Sequence, residues 1–221
     1  MIDHTANQLA LRTQLLLLAG PTTGSATLSA TATGYARASG SFVTDGFRAG
    51  MEVTPTGFTQ TSVCTITAVT ALTMTVKDGR TVQSSGAART LAVGLPATRA
   101  WENAALVGAS APVVGVPYVA EEYLPGGMRK VTTGSFGDLE AEPMYVVRFH
   151  GVPDTGFSAL GMYRDAVLDL FPPTLPLTVG SDVLRVRHDV APSASQIRRT
   201  DDGRAVVTVS IPLSIRTANS R

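Results

Sequence analysis

Residues 207–216 read VTVSIPLSIR and carry the strongest alternating pattern in the chain. Val, Ile and Leu take every second position of this stretch, while Thr, Ser, Pro and Arg take the positions between them. Because successive side chains of a strand point to opposite faces, the stretch predicts a strand with one face in a core and the other towards water or a partner. Pro212 removes one backbone donor and therefore predicts an edge position or a bulge.

The second half of the chain mixes strand and helix patterns before this last strand. Residues 156–171 have helical spacing and end before Pro172 and Pro173, which stop a helix. The apolar stripe of this helix is Leu160, Tyr163, Val167, Leu168 and Phe171. Strand patterns cover residues 116–124, 128–133, 142–150, 175–179 and 183–187, another begins at 98–101, and the prolines of 112–117 predict a loop. This order is typical of a mixed sheet with helices on one face.

Residues 4–19 predict a first amphipathic helix. Its apolar face is expected to contain Leu9, Leu15 and Leu16, with Leu18 or Leu11 flanking it. Thr5 and Gln8 have the spacing of a capping box at the start of the helix. Gly20 and Pro21 predict its end, because glycine accepts a left-handed conformation and proline cannot continue a helix.

Between residues 22 and 95 the composition shifts to Thr, Ser, Ala, Gly and Val, and charged residues become sparse. Residues 63–69 and 72–76 alternate as strands do, and Asp78-Gly79 predicts a tight hairpin after them. We interpret this segment as a β-rich module that interrupts the rest of the chain.

The predicted fold class is α+β, with a mixed β-sheet packed by two helices and an inserted small all-β domain of barrel or sandwich type. Residues 1–21 and 96–221 are assigned to the core domain, and residues 22–95 to the inserted domain. The chain of 221 residues is long enough for two such cores.

The bulk composition narrows the function classes. Hydrophobic residues make up 44% of the chain and charged residues 16%, which indicates an ordered, turn-rich protein. The net charge of +1 gives no indication of a nucleic-acid or membrane partner. Cys64 is the only cysteine, so an internal disulfide framework is excluded and a reducing compartment fits best. The four leucines of residues 15–18 are too few for a membrane span.

Residues that could carry chemistry are scattered. His4, His150 and His188 have no second ligand at metal spacing, and His188 and Asp189 are sequence neighbours that a strand would point to opposite faces. Ser158 lies one residue away from nucleophile-elbow spacing and is better placed in the first turn of a helix. Gly126-Gly127 lacks the residues of a phosphate loop. We therefore predict that the protein is not an enzyme and has no cofactor and no metal site. A hydrolase is the alternative, and it would be supported if mutating His150, His188 or Asp189 removed an activity without unfolding the chain.

Two groups of charged residues have alternative interpretations. The acidic group is Glu121, Glu122, Asp138, Glu140 and Glu142. It is either a solvated loop or a surface that repels the DNA backbone, such as the wall of a channel through which DNA slides. The basic group is Arg148, Arg185, Arg187, Arg198 and Arg199, with Arg204 close by in sequence. It could meet an acidic partner or a neighbouring subunit.

Several short motifs follow one another in a set order after residue 99. They are Trp101-Glu102-Asn103, Val116-Pro117-Tyr118-Val119 after the 112–117 loop, Leu124-Pro125, Thr132-Thr133-Gly134, Glu142-Pro143-Met144-Tyr145-Val146-Val147, Phe171-Pro172 and Ile211-Pro212 in the last strand. With the first helix, this order resembles the tail terminator (tail completion) proteins of long-tailed bacteriophages and spans about two thirds of the chain. The inserted module resembles small β domains that recur in phage tail proteins. Its motifs are Phe42-Val43-Thr44-Asp45-Gly46-Phe47, Gly50-Met51-Glu52-Val53, Gly57-Phe58 and Ile66-Thr67-Ala68-Val69.

The resemblance implies a virion protein that assembles in the host cytoplasm into a hexameric ring. Such a ring caps the head-proximal end of the tail tube, stops tube polymerisation and offers a surface to the head–tail connector. Its partners would be further copies of itself, the tail tube protein and the connector or neck protein, and DNA would pass through the lumen without sequence-specific binding. The edge near Pro212 and the loop at 134–139 are expected contact regions. The alternative is a minor tail or neck protein whose β module binds another virion protein or a host surface.

Overall fold

The computed structural model describes residues 2–101, 115–130, 139–179 and 182–217. These residues form an α+β fold with two helices and two β-sheets, one of which contains a closed six-stranded barrel. The strands of the barrel sheet lie between residues 19 and 94, and those of the second sheet between residues 98 and 217. No helix within the described ranges is long and apolar enough to cross a membrane.

The barrel sheet has seven antiparallel strands. They are β1 (Ala19–Thr22), β2 (Ala26–Thr31), β3 (Gly34–Arg37), β4 (Glu52–Thr56), β5 (Cys64–Val69), β6 (Thr73–Val76) and β7 (Gln83–Gly94). β7 pairs with β2 through its first half and with both β1 and β4 through its second half. Since β2, β3, β6, β5 and β4 are hydrogen-bonded in that order, the pairing of β7 with β2 and with β4 closes the barrel.

Buried apolar side chains fill the barrel and its flanking turns. They include Leu28, Tyr35, Phe42, Phe47, Met51, Val53, Ile66, Met74 and Leu91. The hairpin predicted at Asp78-Gly79 is wrong, because β6 pairs with β3 and β5 and makes no ladder with β7. The hairpin of this region forms one loop earlier, between β5 and β6, where the Thr70 hydroxyl accepts a hydrogen bond from the Thr73 N–H at 2.9 Å.

The second sheet, called here the core sheet, is mixed. Its strands are β8 (Thr98–Trp101), β9 (Tyr118–Leu124), β10 (Met128–Lys130), β11 (Leu139–Ala141), β12 (Met144–His150), β13 (Pro176–Val179), β14 (Asp182–Val186), β15 (Ser193–Ala194), β16 (Arg198–Arg199) and β17 (Ala205–Thr217). β8 runs parallel to β9, and the other pairings are antiparallel. The predicted strands at 116–124, 142–150, 175–179 and 183–187 are confirmed with shifted ends. Residues 131–133 of the predicted strand at 128–133 lie outside the described residues, as do residues 112–114 of the predicted loop.

β17 is the central strand of the core sheet and confirms the alternating pattern. Val207, Val209, Ile211, Leu213 and Ile215 are all fully buried. The edge position expected from Pro212 is wrong, because β17 pairs with other strands on both of its sides. Pro212 instead lies where the neighbours change: β12 gives way to β11 on one side and β15 to β14 on the other. On the side of β17 that faces β14, the Pro212 carbonyl accepts from the Arg187 N–H at 3.0 Å, and no strand is paired beside the Pro212 nitrogen. A residue without an N–H therefore fits at this position.

Helix α1 (His4–Leu15) is shorter than predicted, and it buries a different side from the one expected. Its buried residues are Asn7, Leu11 and Leu15, while Leu9 and Leu16 of the expected apolar face are exposed. The cap is Asp3, whose carboxylate accepts from the Ala6 N–H at 3.0 Å, and not Thr5. Gly20 and Pro21 do not end the helix, because they belong to β1.

Helix α2 (Ser158–Leu170) confirms the second helical pattern. Leu160, Tyr163 and Val167 are buried against the core sheet, with Phe171 buried just beyond the helix. Ser158 is the first residue of the helix, as predicted. The Gln14 side chain donates to the carbonyl of Leu170 at 3.2 Å and so ties α1 to α2.

The barrel is joined to the core sheet and α2 by a polar contact and by close packing. The buried Glu52 carboxylate of β4 accepts from the Ala97 N–H at 2.7 Å, and the Glu52 N–H lies 3.5 Å from the Tyr163 hydroxyl of α2. Gly50 has φ of +88°, and a Cβ added there would lie 2.6 Å from the Thr155 hydroxyl oxygen. This joint therefore requires glycine both for its backbone conformation and for the close approach of the two parts.

Candidate functional site

The face of the core sheet that points away from the helices is the surface on which five of the ten predicted charged residues meet. We call it the outer face. On β9, β12 and β17 its side chains form four rows of directly opposed residues. The rows are Tyr118, His150 and Val206; Ala120, Arg148 and Thr208; Glu122, Val146 and Ser210; and Leu124, Met144 and Pro212. The intervening residues, such as Val119, Val147 and Val209, are buried beneath the helices.

An aromatic pair occupies one end of the outer face. The rings of Tyr118 and His150 are stacked with centroids 4.1 Å apart, and the guanidinium of Arg204 lies 5.4 Å from the Tyr118 ring centroid. Arg204 is buried and donates to the carbonyls of Val116 at 2.9 Å and Gly151 at 3.2 Å. Burial, reinforced by the nearby Arg204 charge, lowers the pKa of His150 to about 4. His150 is therefore a neutral ring at physiological pH.

A single ion pair crosses the middle of these rows. The Arg148 guanidinium lies 2.5 Å from the Glu122 carboxylate. Glu122 was predicted to line a channel and Arg148 to contact a partner, so the structure joins one residue from each predicted surface. Their charges compensate one another in the isolated subunit.

A shallow charged cleft of about 430 Å³ opens on the same face beside β10, β11 and β14. Arg187 bridges two carboxylates, with Nη1 2.6 Å from Glu142 Oε2 and Nε 2.9 Å from Asp189 Oδ1. Arg129 likewise contacts Glu140 at 2.8 Å and Glu142 at 3.2 Å. Both arginines therefore bridge pairs of carboxylates, and the cleft is a network of alternating charges. Hydrogen bonding from Arg187 holds the pKa of Asp189 below its ordinary value.

Glu121 corrects the prediction of an acidic channel wall. It lies on the helix side of β9 and is only 2% exposed, so it cannot line a surface of the subunit. Its Oε1 accepts from the Arg99 Nε–H at 2.7 Å and its Oε2 from the Tyr145 hydroxyl at 2.6 Å. Arg12 of α1 approaches Oε2 at 3.8 Å and lies over the Trp101 ring. Val119, Glu121 and Tyr123 share one face of β9, so the two apolar residues already indicated that the Glu121 side chain points inward.

The remaining predicted residues are more dispersed. Arg185 is exposed on β14, directly opposite Ser214 of β17. Arg198 and Arg199 are exposed on the short β16, and Arg199 lies 3.9 Å from Asp154. Asp138, Glu102, Asn103 and residues 132–134 lie outside the described residues, as does most of the loop at 134–139.

A second surface, which the sequence analysis missed, lies on α1 and on the turn that follows it. Leu9, Leu16 and Leu17 are 65%, 59% and 64% exposed and form what we call the leucine ridge. An apolar cleft of about 430 Å³ separates Leu9 from Leu177 and Val179 of β13. A larger cleft of about 570 Å³ lies beside Leu17, between β1 and α2. The sequence did contain a signal for this surface, because the predicted helix has more leucines than one buried face can accommodate.

The residues considered for catalysis do not converge. Asp189 is paired with Arg187 and its neighbour His188 is exposed, while His150 is stacked on Tyr118. Across the described ranges no group of three His, Cys, Asp or Glu side chains is arranged to hold a metal ion. The hydrolase alternative accordingly gains no supporting geometry.

No protein-family model matches the chain, and no curated protein matches it. A solved structure of a protein that carries no functional name is similar to part of the chain. The two are 21% identical, the likeness covers 56% of this chain and 81% of that chain, and the TM-score is 0.42. At that TM-score the likeness carries no argument about fold or function.

Proposed function

We propose that this chain is a structural subunit that associates with copies of itself into a ring, of the kind that caps the head-proximal end of a phage tail tube. One observation carries the proposal: the subunit exposes two chemically different surfaces on opposite sides of one sheet. The leucine ridge lies on the helix side. The outer face, with its charged network and the exposed Leu124 and Met144 at its rim, lies on the other.

Two unlike surfaces are what a ring requires. In a closed ring each subunit contacts one neighbour with one patch and the other neighbour with a different patch, so the patches must be complementary and need not be alike. Leu124 and Met144 are directly opposed on β9 and β12 and offer an apolar strip that a neighbour's leucine ridge can cover. The polar and charged residues around that strip match the rim of an interface.

The hexameric state, the tube protein and connector as partners, and the virion location all rest on the family resemblance. In this proposal DNA passes through the ring without base-specific contacts. Glu140 and Glu142 stay candidates for the lumen wall, because the cleft that they line is open to solvent. Their bonds to Arg129 and Arg187 make that wall less acidic than the sequence indicated.

The test is the mass and shape of the purified protein, measured by light scattering and negative-stain microscopy with and without tail tube protein. We expect rings, alone or on tube ends, for the wild type. Leu16→Glu and Leu17→Glu place charges on the leucine ridge and should give monomers that leave tube ends uncapped. Val82→Glu is the matched control, because Val82 is 68% exposed but lies just before the barrel's β7, away from the ridge. A wild type that stays monomeric and ignores tube ends would overturn the proposal.

The alternative of a minor tail or neck protein has its own supporting observation. The barrel exposes Val63 and Val82 at the end where the segments before β5 and before β7 meet, and these two could contact another virion protein or a host surface. The same Val82→Glu variant discriminates between the two proposals. If it keeps the wild-type assembly state and loses attachment to virions, the barrel carries the binding; if it attaches normally, that alternative loses its support.

A further inference from the structure

The cleft of about 570 Å³ beside Leu17 continues the leucine ridge, and we call it the α2 cleft. Leu17 and β1 lie on one side of it and α2 lies on the other. The lining residues of α2 are Met162, Asp165, Ala166, Asp169 and Leu170. Their spacing places them on one face of the helix. α2 therefore has two different faces: an apolar one buried against the core sheet, and a mixed apolar and acidic one that is open to the cleft.

The α2 cleft carries negative charge. Among the described residues that line it, three are carboxylates and none is basic: Asp45, Asp165 and Asp169. Asp45 is paired with Arg37, and Asp165 with Arg164. Asp169 has no ion-pair partner within the residues that the structure describes. One carboxylate of the cleft is thus left uncompensated.

The position of Asp169 in α2 makes its charge unfavourable in the isolated subunit. It is the last residue but one of the helix, where the helix dipole is negative, and the last turn has no basic residue. Asp165 lies one turn before it, at a spacing where like charges repel. A cation in the cleft would offset both effects. A long side chain that ends in a positive charge suits the cleft, because Leu17, Met162 and Leu170 offer apolar contact to its stem.

The outer face carries a cation that also has no ion-pair partner. Arg185 is exposed on β14, directly opposite Ser214 of β17. The residues before and after Ser214 are fully buried in the core, so Ser214 and Arg185 both lie on the outer face. Within the described ranges no carboxylate lies within 4 Å of the Arg185 guanidinium.

Arg185 lies close to the apolar strip of Leu124 and Met144. Met144 is opposed to Pro212 of β17, and Arg185 is paired two residues further along β17, on the other side of that strand. Two strand spacings and two residues therefore separate the Cα atoms of Met144 and Arg185 by about 12 Å. In the proposed ring this strip covers a neighbour's leucine ridge, and the α2 cleft begins at Leu17 of that ridge.

We propose that, in the ring, the Arg185 side chain of each subunit enters the α2 cleft of its neighbour and pairs with Asp169 there. This contact rests on the proposed ring function and adds a charged anchor to it. The apolar strip and the leucine ridge supply the buried area, while the ion pair fixes how the two surfaces are aligned. Each subunit offers one arginine and one cleft on different surfaces, so the same contact repeats around a closed ring.

Arg198 is the matched control residue. It is exposed and directly opposite Val206 of β17, and it likewise has no carboxylate within 4 Å in the described part of the chain. Val206 is six residues from Pro212, which places Arg198 about 20 Å along β17 from the apolar strip. Arg185, and not Arg198, is therefore the member of the predicted basic group that we place in the cleft.

The experiment measures the dissociation constant of the assembly of the full-length protein, by light scattering over a dilution series at constant ionic strength. Asp169→Arg brings two arginines together at the contact, and Arg185→Glu brings two carboxylates together. Each variant should therefore assemble at least about tenfold more weakly than the wild type. Arg198→Glu should assemble as the wild type does. Thermal unfolding checks that all three variants are folded, as expected for changes at exposed positions.

A mixture of the two weakened variants distinguishes a contact between subunits from one within a subunit. In a ring where the two variants alternate, every Arg185 meets an intact Asp169, and every introduced glutamate meets an introduced arginine. Equal amounts of Asp169→Arg and Arg185→Glu should therefore form rings together, although neither variant does so alone. If wild-type rings form only on tube ends, the fraction of capped ends in negative-stain images is the readout for all samples.

The possible failures of the contact and of the ring are distinguishable. Wild-type assembly by Asp169→Arg or by Arg185→Glu would overturn the contact and leave the ring in place. A mixture that stays dissociated, or an Arg198→Glu variant that is weakened as much as Arg185→Glu, would do the same. A wild type that forms rings neither alone nor on tube ends would overturn the ring and the contact together.

Discussion

The hydroxyl of Tyr145 donates to the carboxylate of Glu121 at 2.6 Å in the interior of the core sheet, and neither side chain reaches solvent. Burial, followed by the adjacent Glu121 charge, holds the pKa of Tyr145 well above its ordinary value, so the tyrosine is always the donor. Arg99 completes the charge balance from β8. Glu121, which was predicted to face a DNA channel, is thus part of a structural contact between strands and α1.

Truncation of Glu121 should strongly destabilise the protein. Glu121→Ala leaves the Arg99 charge and the Tyr145 hydroxyl without their partner, and breaking a buried pair in this way costs about 3–5 kcal/mol. Tyr145→Phe removes one hydrogen bond to a charged acceptor and should cost about 1.5–3 kcal/mol. Urea unfolding at pH 7 measures both. Glu140→Ala, in the solvent-exposed network, should change the free energy of unfolding by less than about 1 kcal/mol; an equal loss for Glu121→Ala would contradict the burial.

Glu52 should make the protein less stable at neutral pH than its amide variant. Burial raises the pKa of this carboxyl in the folded state. A raised pKa means that the stabilising contribution is complete below the ordinary glutamate pKa and is lost as pH rises through the folded value. We therefore expect Glu52→Gln, which keeps an oxygen for the Ala97 N–H, to be more stable than the wild type at pH 7 and not at pH 4. Urea unfolding at both values checks this, and a variant that is less stable at pH 7 would contradict it.

His150 should give the opposite pH dependence. Its pKa is about 4 in the folded state against an ordinary value of 6.5, so the folded protein binds fewer protons between these values. Stability should be complete above pH 6.5 and decline as pH falls towards 4. His150→Phe retains a ring to stack on Tyr118 and should flatten this part of the profile. His188→Phe, at an exposed position, is the control and should leave the slope as it is.

Replacement of Asn7 should stabilise the protein. Asn7 is fully buried on α1, and neither its Oδ1 nor its Nδ2 has a hydrogen-bond partner among the described residues. Asn7→Leu removes these unsatisfied groups while keeping a side chain of four heavy atoms branched at Cγ, and it extends the stripe of Leu11 and Leu15, for a gain of about 1–3 kcal/mol. Thermal and urea unfolding measure the gain. Leu11→Ala should lose about 2–5 kcal/mol; a loss of similar size for Asn7→Leu would mean that the amide has a partner.

The parts of the fold that sequence predicts well are those with one dominant pattern. β17 and α2 each have a single apolar face, so alternation or helical spacing leaves only one arrangement that buries it. The helix predicted at 4–19 has leucines at positions 9, 11 and 15–18, which offer several stripes of similar apolarity. Tertiary packing selected the stripe that contains a polar Asn7, and no periodicity argument could have found that choice.

The candidate surfaces were harder to predict because they depend on register between distant strands. Arg187 and Glu142 are 45 residues apart and meet only because β12, β14 and β17 are aligned in one sheet. A list of charged residues in sequence order separated them into an acidic and a basic group. The inward position of Glu121, by contrast, could have been read in advance from the apolar residues two positions before and after it.

The pairing of β1 with β7 sets how the barrel is attached. Ala19 and Gly94 are opposed in that ladder, so the chain enters and leaves the barrel roughly one strand spacing, about 5 Å, apart. We therefore expect that excising the residues between these two points leaves chain ends that a short turn can rejoin, with the loss of the contacts that Glu52 makes with Ala97 and Tyr163. A tensile load applied across these ends would unzip β1 from β7 one hydrogen bond at a time, so the attachment would yield before the closed barrel does.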